Sequence, residues 1–168
     1  MKLAVIPARG GSQRIPRKNI RAFCGQPIIA HSIQAALESK CFDEVMVSTD
    51  DTEIADIAHS FGAKVPFMRS AAASSHTATT VDVLLEVLGK YRDLGTSPDQ
   101  IFCVYPTAPF VSPKLLKRAL TALNERPDIN GVVSIELEYS PDPKRIVEWV
   151  QEAYTQTDRL MQLTGLRG

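Results

Sequence analysis

Short apolar runs alternate with segments of helical periodicity along most of this chain, and that alternation most limits the fold open to it. Lys2 to Ala8 is a short apolar run closed by a Gly-rich turn, the pattern of a strand covered on both faces. Pro27 to Ser39 follows with Ile28, Ile29, Ile33, Ala36 and Leu37 at helical spacing and Pro27 at the first helical position. Glu44 to Ser48 reads as a second strand. Asp50 with Glu53 resembles a capping box, Ile54, Ile57, Ala58 and Phe61 form one face, and Gly62 suits a helix end. Lys64 to Phe67 reads as a third strand, and the small, polar stretch Ser70 to Thr80 as a loop. Val81 to about Tyr91 is a helix, Ile101 to Tyr105 a strand stopped by Pro106 and Pro109, Pro113 to Asn124 a helix, and Gly131 to Ile135 a strand. The order predicts an α/β chain, a single Rossmann-like domain with a mostly parallel sheet, right-handed crossovers and helices on both faces. Lys144 to Val150 is a further strand candidate, and Gln151 to Gly168 has no clear period.

With 168 residues, 44% apolar, one core of good size is available and two full domains are not. The expected division is residues 1–137 as the main domain and 138–168 as an atypical tail. Lys plus Arg number 19 and Asp plus Glu number 19, so no global field draws nucleic acid or an anionic membrane to the chain. The distribution is more telling. No acid precedes Glu38, while Lys2, Arg9, Arg14, Arg17, Lys18 and Arg21 all do, which suggests a local anion site. Three cysteines, Cys24, Cys41 and Cys103, without C-x-x-C spacing suggest neither a disulfide framework nor structural zinc, and fit a reduced, cytoplasmic setting. The apolar run at residues 3–6 is too short for a signal peptide or a membrane span.

In open parallel sheets, ligands bind beyond the carboxyl ends of the strands, so the loops after Ala8, Ser48, Phe67 and Tyr105 are the places to look. In the first loop, Gly10 and Gly11 let backbone N–H groups approach phosphate oxygens, Arg and Lys supply charge, and Ser12 and Asn19 add hydrogen bonds. It is neither a Walker A motif nor a dinucleotide fingerprint, because both spacings are absent. A solvated basic loop is the alternative. Asp50 and Asp51, ending a strand and opening a helix, could reach Mg²⁺ or cap the helix. His31 reads as packing. His76 has no acid partner at motif spacing that would make it a base, and Cys24 reads as small core filler.

The runs IPARGGSQRIPRKN (Ile6 to Asn19), FCGQP (Phe23 to Pro27), VSTD (Val47 to Asp50), VPFMR (Val65 to Arg69) and YPTAPF (Tyr105 to Phe110) resemble, in order and spacing, the acylneuraminate cytidylyltransferases. The resemblance covers about Met1 to Ser134. Tyr105 to Phe110 and the Val-Pro-Phe before Arg69 look most like the pseudaminic acid branch, since the sialic acid branch usually has Gln in place of Tyr105. The resemblance implies transfer of CMP from CTP to a nine-carbon 2-keto sugar acid, such as pseudaminic or a sialic acid, with release of pyrophosphate and help from Mg²⁺. It implies that Arg9, Lys18 and Asn19 act on the reacting phosphate, and that Ala8, Gly10, Gly11, Ser12 and Arg14 cradle the triphosphate. Arg69, Ala78, Thr79 and Thr80 would hold cytosine and ribose, and Tyr105 and Thr107 the sugar acid. The family usually has Lys where this chain has Gln13.

Family members continue into a segment that carries part of a homodimer interface and acidic metal ligands, and no match to it is found after about Tyr139. The C-terminal part is therefore expected to be truncated, and the metal ligands are not identified. Two outcomes stay open at this point, an active transferase and a truncated nucleotide-binding remnant with little or no turnover. A transferase for a different keto acid is a third.

Overall fold

In the computed structural model, residues 1–12 and 15–126 are described. β1 (Lys2–Pro7) is central, flanked by β4 (Glu44–Ser48) and β5 (Gln100–Cys103) in the order β4-β1-β5. Both pairings are parallel: Leu3 lies opposite Glu44 and Ile6 opposite Val47, while Lys2 lies opposite Gln100 and Val5 opposite Cys103. A central parallel strand is covered on both faces, which explains why β1 is an unbroken apolar run. Leu3, Ala4, Val5 and Ile6 are all fully buried. Side chains alternate along the strand. Ala4, Ile6, Val45 and Val47 join a core with Ile29, Ile33 and Ala36 of α1 (Ile28–Ser39) and Ile54 and Ala58 of α2 (Thr52–Ser60). Leu3, Val5 and Met46 take the alternate positions, and α3 (Thr80–Asp93) packs against β1. Burying such a side chain contributes roughly 1.5 to 3 kcal/mol, so Ile6→Ala at the centre of this sheet should cost about 2 to 5 kcal/mol.

Helix ends follow local chemistry, with shifts of a residue from the sequence reading. Pro27 is the N-cap of α1 rather than its first residue. The α2 cap is Asp51, whose carboxylate accepts from the Ile54 N–H at 3.1 Å; Asp50 is drawn elsewhere and forms no capping box with Glu53. Gly62, with φ +89°, ends that helix as expected. A capping box does form at α3, where Thr79 and Asp82 exchange hydrogen bonds.

Two readings are corrected. Lys64 makes one parallel bridge to Met46 and no strand follows: its N–H and C=O pair with Val45 and Val47, but the next ladder donor would be Pro66, which has no N–H. The second correction is at Phe23 to Pro27, where β2 (Ala22–Phe23) and β3 (Gln26–Pro27) form a tight hairpin. Cys24 (φ +48°) and Gly25 (φ +87°) are its two turn residues, so Cys24 is exposed rather than core filler.

Residues 1–117 make one compact unit, in which α4 (Pro113–Glu125) begins and Leu116 is buried. Arg118–Gly168 is a second unit, described only as far as residue 126. The strands read at residues 131–135 and 144–150, and the tail from 138, lie outside the described residues. All three cysteines are free. No helix among the described residues is long and apolar enough to cross a membrane.

Candidate active site

At the carboxyl end of the sheet a cleft of about 150 Å³ is lined by Pro7, Arg9, Lys18, Asn19, Arg69, Ala73, residues 78–80, Val83, Tyr105, Pro106 and Thr107. Three loops and the start of α3 meet there. They are brought together because β1 and β5 are parallel and end side by side, which is the geometry that makes strand ends into binding sites.

The first wall comes from the segment after β1. Arg9 donates through Nη1 to the Ser75 carbonyl at 2.8 Å, tying this wall to the 70–80 loop. Asn19 is buried, its amide nitrogen donating to the Arg9 carbonyl at 2.9 Å. Its Oδ1 is buried and accepts no hydrogen bond among the described residues. An acceptor left in that condition costs about 1 to 3 kcal/mol unless a ligand or water satisfies it. Lys18 lines the cleft, exposed, with no ion pair among the described residues.

Other members of this loop are engaged by the protein itself. The Gly10 N–H donates to Asp50 Oδ1 at 2.9 Å, and the Ser12 N–H donates to the Gly10 carbonyl at 2.9 Å. Glycine is needed at position 10 because a Cβ there would fall 2.4 Å from Asp51 Oδ2. Arg17 donates to both Asp51 and Glu53, so it is not among the free cations of the loop. The Arg17 hydrogen bond is the main reason the Asp51 carboxyl titrates below its ordinary range. Ala8 is fully buried at the strand end; it, Gly10, Gly11 and Ser12 do not line the cleft. Arg14 lies outside the described residues.

The opposite wall carries more internal hydrogen bonds, although its buried Ser74 Oγ has no partner among the described residues. Arg69 is 8% exposed; its Nε donates to Ser48 Oγ at 3.0 Å and an Nη2 N–H to the Ser48 carbonyl, while its backbone N–H donates to the Thr49 carbonyl at 2.7 Å. Desolvation lowers its pKa, opposed by the nearby charges of Asp50 and Glu86. Glu86 accepts from the Ser70 N–H at 2.9 Å and from its hydroxyl, and Lys90 donates to the Met68 carbonyl at 2.7 Å, so both neighbours of Arg69 are held to α3. The Ala78 and Thr79 N–H groups are also engaged, by Ser75 and Asp82. Thr80 Oγ1 and the Tyr105 hydroxyl are 3.1 Å apart, and Thr107 completes the rim.

Arg9, Lys18, Asn19, Arg69, Ala78, Thr79, Thr80, Tyr105 and Thr107 are thus brought together from distant parts of the sequence. A family model described as Cytidylyltransferase matches residues 3–163. The chain belongs to that family. The match runs beyond Ser134, where the resemblance read from the sequence motifs stops. The chain is 42% identical over 118 residues to the CMP-N,N'-diacetyllegionaminic acid synthase of Legionella pneumophila, covering 70% of this chain and 51% of that one. It is 44% identical over 117 residues to the pseudaminic acid cytidylyltransferase of Campylobacter jejuni, covering 70% and 50%. The chain spans about half the length of these curated relatives. Among solved structures, a CMP:2-keto-3-deoxy-manno-octonic acid synthetase complexed with CTP matches with a TM-score of 0.64 at 29% identity, covering 76% of this chain and 49% of that one.

Four residues that shape the cleft are not among the sequence candidates: Pro7 and Pro106 fall within the motif runs without a role read for them, Ala73 and Val83 fall outside those runs, and all four supply wall, not chemistry. Asp50, Asp51 and Glu86 act from behind the cleft lining; the first two stood out only as a helix cap or a metal ligand, and Glu86 not at all.

Proposed function

We propose that this chain is the nucleotide-binding part of a cytidylyltransferase that transfers CMP from CTP to a nonulosonic acid and releases pyrophosphate. The observation that carries the reading is the cleft itself, where Arg9, Lys18, Asn19 and Arg69 converge on residues 78–80 at the sheet's carboxyl end. Attack at an α-phosphorus builds negative charge on the non-bridging and leaving oxygens, so fixed cations in a partly closed site stabilise the transition state more than the ground state. Among the described residues, Lys18 is the cation free to do this. Arg9, held on Ser75, supplies a fixed positive field, and the unpaired Asn19 Oδ1 gives the ligand one acceptor to meet. Cytosine presents O2 and N3 as acceptors and N4 as a donor. The N–H groups of Arg69 not engaged by Ser48 suit the former.

Tyr105 and Thr107, on the rim past β5, are proposed to face the sugar acid. Pseudaminic, legionaminic and sialic acids share the carboxylate and anomeric hydroxyl that this chemistry requires, and the near-equal identities to the first two relatives do not separate them.

Mg²⁺ is usually held by one or two carboxylates together with substrate phosphates. Among the described residues no three His, Cys, Asp or Glu side chains gather as a metal cage. Asp51 does not fit, since its oxygens serve Arg17 and the α2 cap. Asp50, exposed and with one oxygen on the Gly10 N–H, can offer its other oxygen. When bound, the ion would offset charge on the triphosphate.

Incubation with CTP, Mg²⁺ and a panel of nonulosonic acids should release pyrophosphate. Calorimetry should show CTP bound roughly tenfold or more tightly than UTP, whose edge reverses two of the polar groups. Binding without release would leave a nucleotide-binding chain that lacks the transfer step, and equal affinity for CTP and UTP would remove the base-site assignment.

A further inference from the structure

The cation-rich loop after β1 is met from the side by acids of a different element. Arg17 donates through Nη1 and Nη2 to the two oxygens of Asp51, the second at 3.3 Å, and Nη2 also donates to Glu53. Behind this pair, the Gly10 N–H is on Asp50, and Gly10 lacks the Cβ that Asp51 would exclude. Arg17 itself has φ +54° and ψ +28°, a left-handed conformation that a residue with a Cβ resists. It opens the short 3-10 turn Lys18–Ile20, and the next two residues, Lys18 and Asn19, line the cleft. The left-handed turn sets the direction in which those two side chains leave the backbone. Its guanidinium is gripped by carboxylates at the N-terminus of α2.

We infer that Arg17 is a positioning residue rather than a phosphate ligand: clamped by Asp51, it fixes the backbone turn that presents Lys18 and Asn19 to the nucleotide. This inference rests on the proposed CTP-binding role of the cleft. A planar guanidinium matches two carboxylate oxygens at once, whereas an ammonium does not. Asp51 is the partner that matters, because Glu53 is 65% exposed and more readily screened.

The two roles open to Arg17 predict opposite signs for one substitution. If Arg17 bound phosphate and Asp51 competed for it, Asp51→Asn would free the cation and tighten CTP binding. If Asp51 clamps Arg17, Asp51→Asn weakens CTP binding, and the helix cap is kept because Asn caps as well as Asp. The experiment is a double-mutant cycle on the 168-residue chain with Arg17→Ala and Asp51→Asn, reading CTP affinity by calorimetry. Each single substitution should weaken CTP about tenfold, and the double no more than either alone. Arg17→Lys should behave like Arg17→Ala, since charge without the fork does not hold the turn. Hydrogen exchange at the amides of Lys18–Ile20 gives a readout that needs no nucleotide, and should accelerate in all three single variants and in the double. Tighter CTP binding by Asp51→Asn, additive losses, or unchanged exchange would overturn the clamp. Wild-type protein that binds no CTP would overturn the functional reading instead, with the exchange rates still deciding whether Arg17 holds the turn.

Discussion

The two walls of the cleft are built on opposite plans. On the wall after β1, Lys18 stands without an ion pair among the described residues and the Asn19 Oδ1 is unmet, so chemistry there is left open to a ligand. On the wall formed by residues 69–80, Arg69 is held on Ser48, Ser70 on Glu86 and Thr79 on Asp82. These polar groups already have protein partners, and the buried Ser74 Oγ is the exception among the described residues of this wall. Substitution on the first wall should therefore show in ligand affinity, and substitution on the second in the stability of the fold before anything else.

The largest expected effect tests the second half of that contrast. Arg69→Ala removes a buried guanidinium, leaves the Ser48 hydroxyl without that donor, and leaves the Ser48 carbonyl with the Ala8 N–H alone at the end of β4. Hydrogen bonds from a charged group contribute about 1.5 to 3 kcal/mol each, so urea denaturation should show a loss of about 3 kcal/mol or more. A variant that folds with wild-type stability and loses only CTP binding would mean that Arg69 belongs with the open wall.

Lys18→Ala probes the open wall itself. It should leave the urea midpoint nearly unchanged and weaken CTP binding by about 1.5 to 3 kcal/mol, the loss of one charge-assisted contact. Arg21→Ala, removing an exposed cation just past the 3-10 turn, should cost under about 1 kcal/mol. Equal losses by calorimetry would turn the loop into a diffuse basic patch. Thr79→Ala returns to the second wall with a smaller effect: it removes the N-cap hydroxyl of α3, costing about 1 kcal/mol of stability in the same urea assay.

What could be read from the sequence and what could not divides along the same line. The loops that form the cleft were legible, because apolar periodicity places strand ends and the topology of parallel sheets does the rest. The partners of the residues in those loops were not. Arg17 meets Asp51, and Arg69 meets Ser48, across long stretches of chain, and no local pattern encodes either pairing. The shift of the α2 cap from Asp50 to Asp51 has that cause, since the sequence shows an acid pair but not that Gly10 takes the first. The β2-β3 hairpin was missed for another reason: two-residue strands have no period, and Cys24-Gly25 is a weaker turn signal than Asn-Gly.

The smallest effect concerns acid, and it sharpens the contrast from the side of the protein that holds the open wall in place. The Asp51 carboxyl is held below its ordinary value near 3.8, chiefly by the Arg17 hydrogen bond, against a desolvation cost that works the other way. A carboxyl with a depressed folded-state pKa binds a proton more readily in the unfolded chain. Its contribution to stability is therefore present above the unfolded value and is lost as pH falls through the folded one. Asp51→Asn cannot titrate, yet keeps an acceptor for the Ile54 N–H, so the cap survives while the ion pair does not. Urea midpoints measured from about pH 5 down to about pH 2 should fall more shallowly for Asp51→Asn than for wild type, and the two curves should converge at the acid end. The difference should be modest, because Arg17 is 40% exposed and solvent screens the pair, and smaller still in high salt. Parallel curves across the whole range would mean that the Arg17 contact contributes nothing to the folded state, and the acids behind the open wall would then be no more than helix caps.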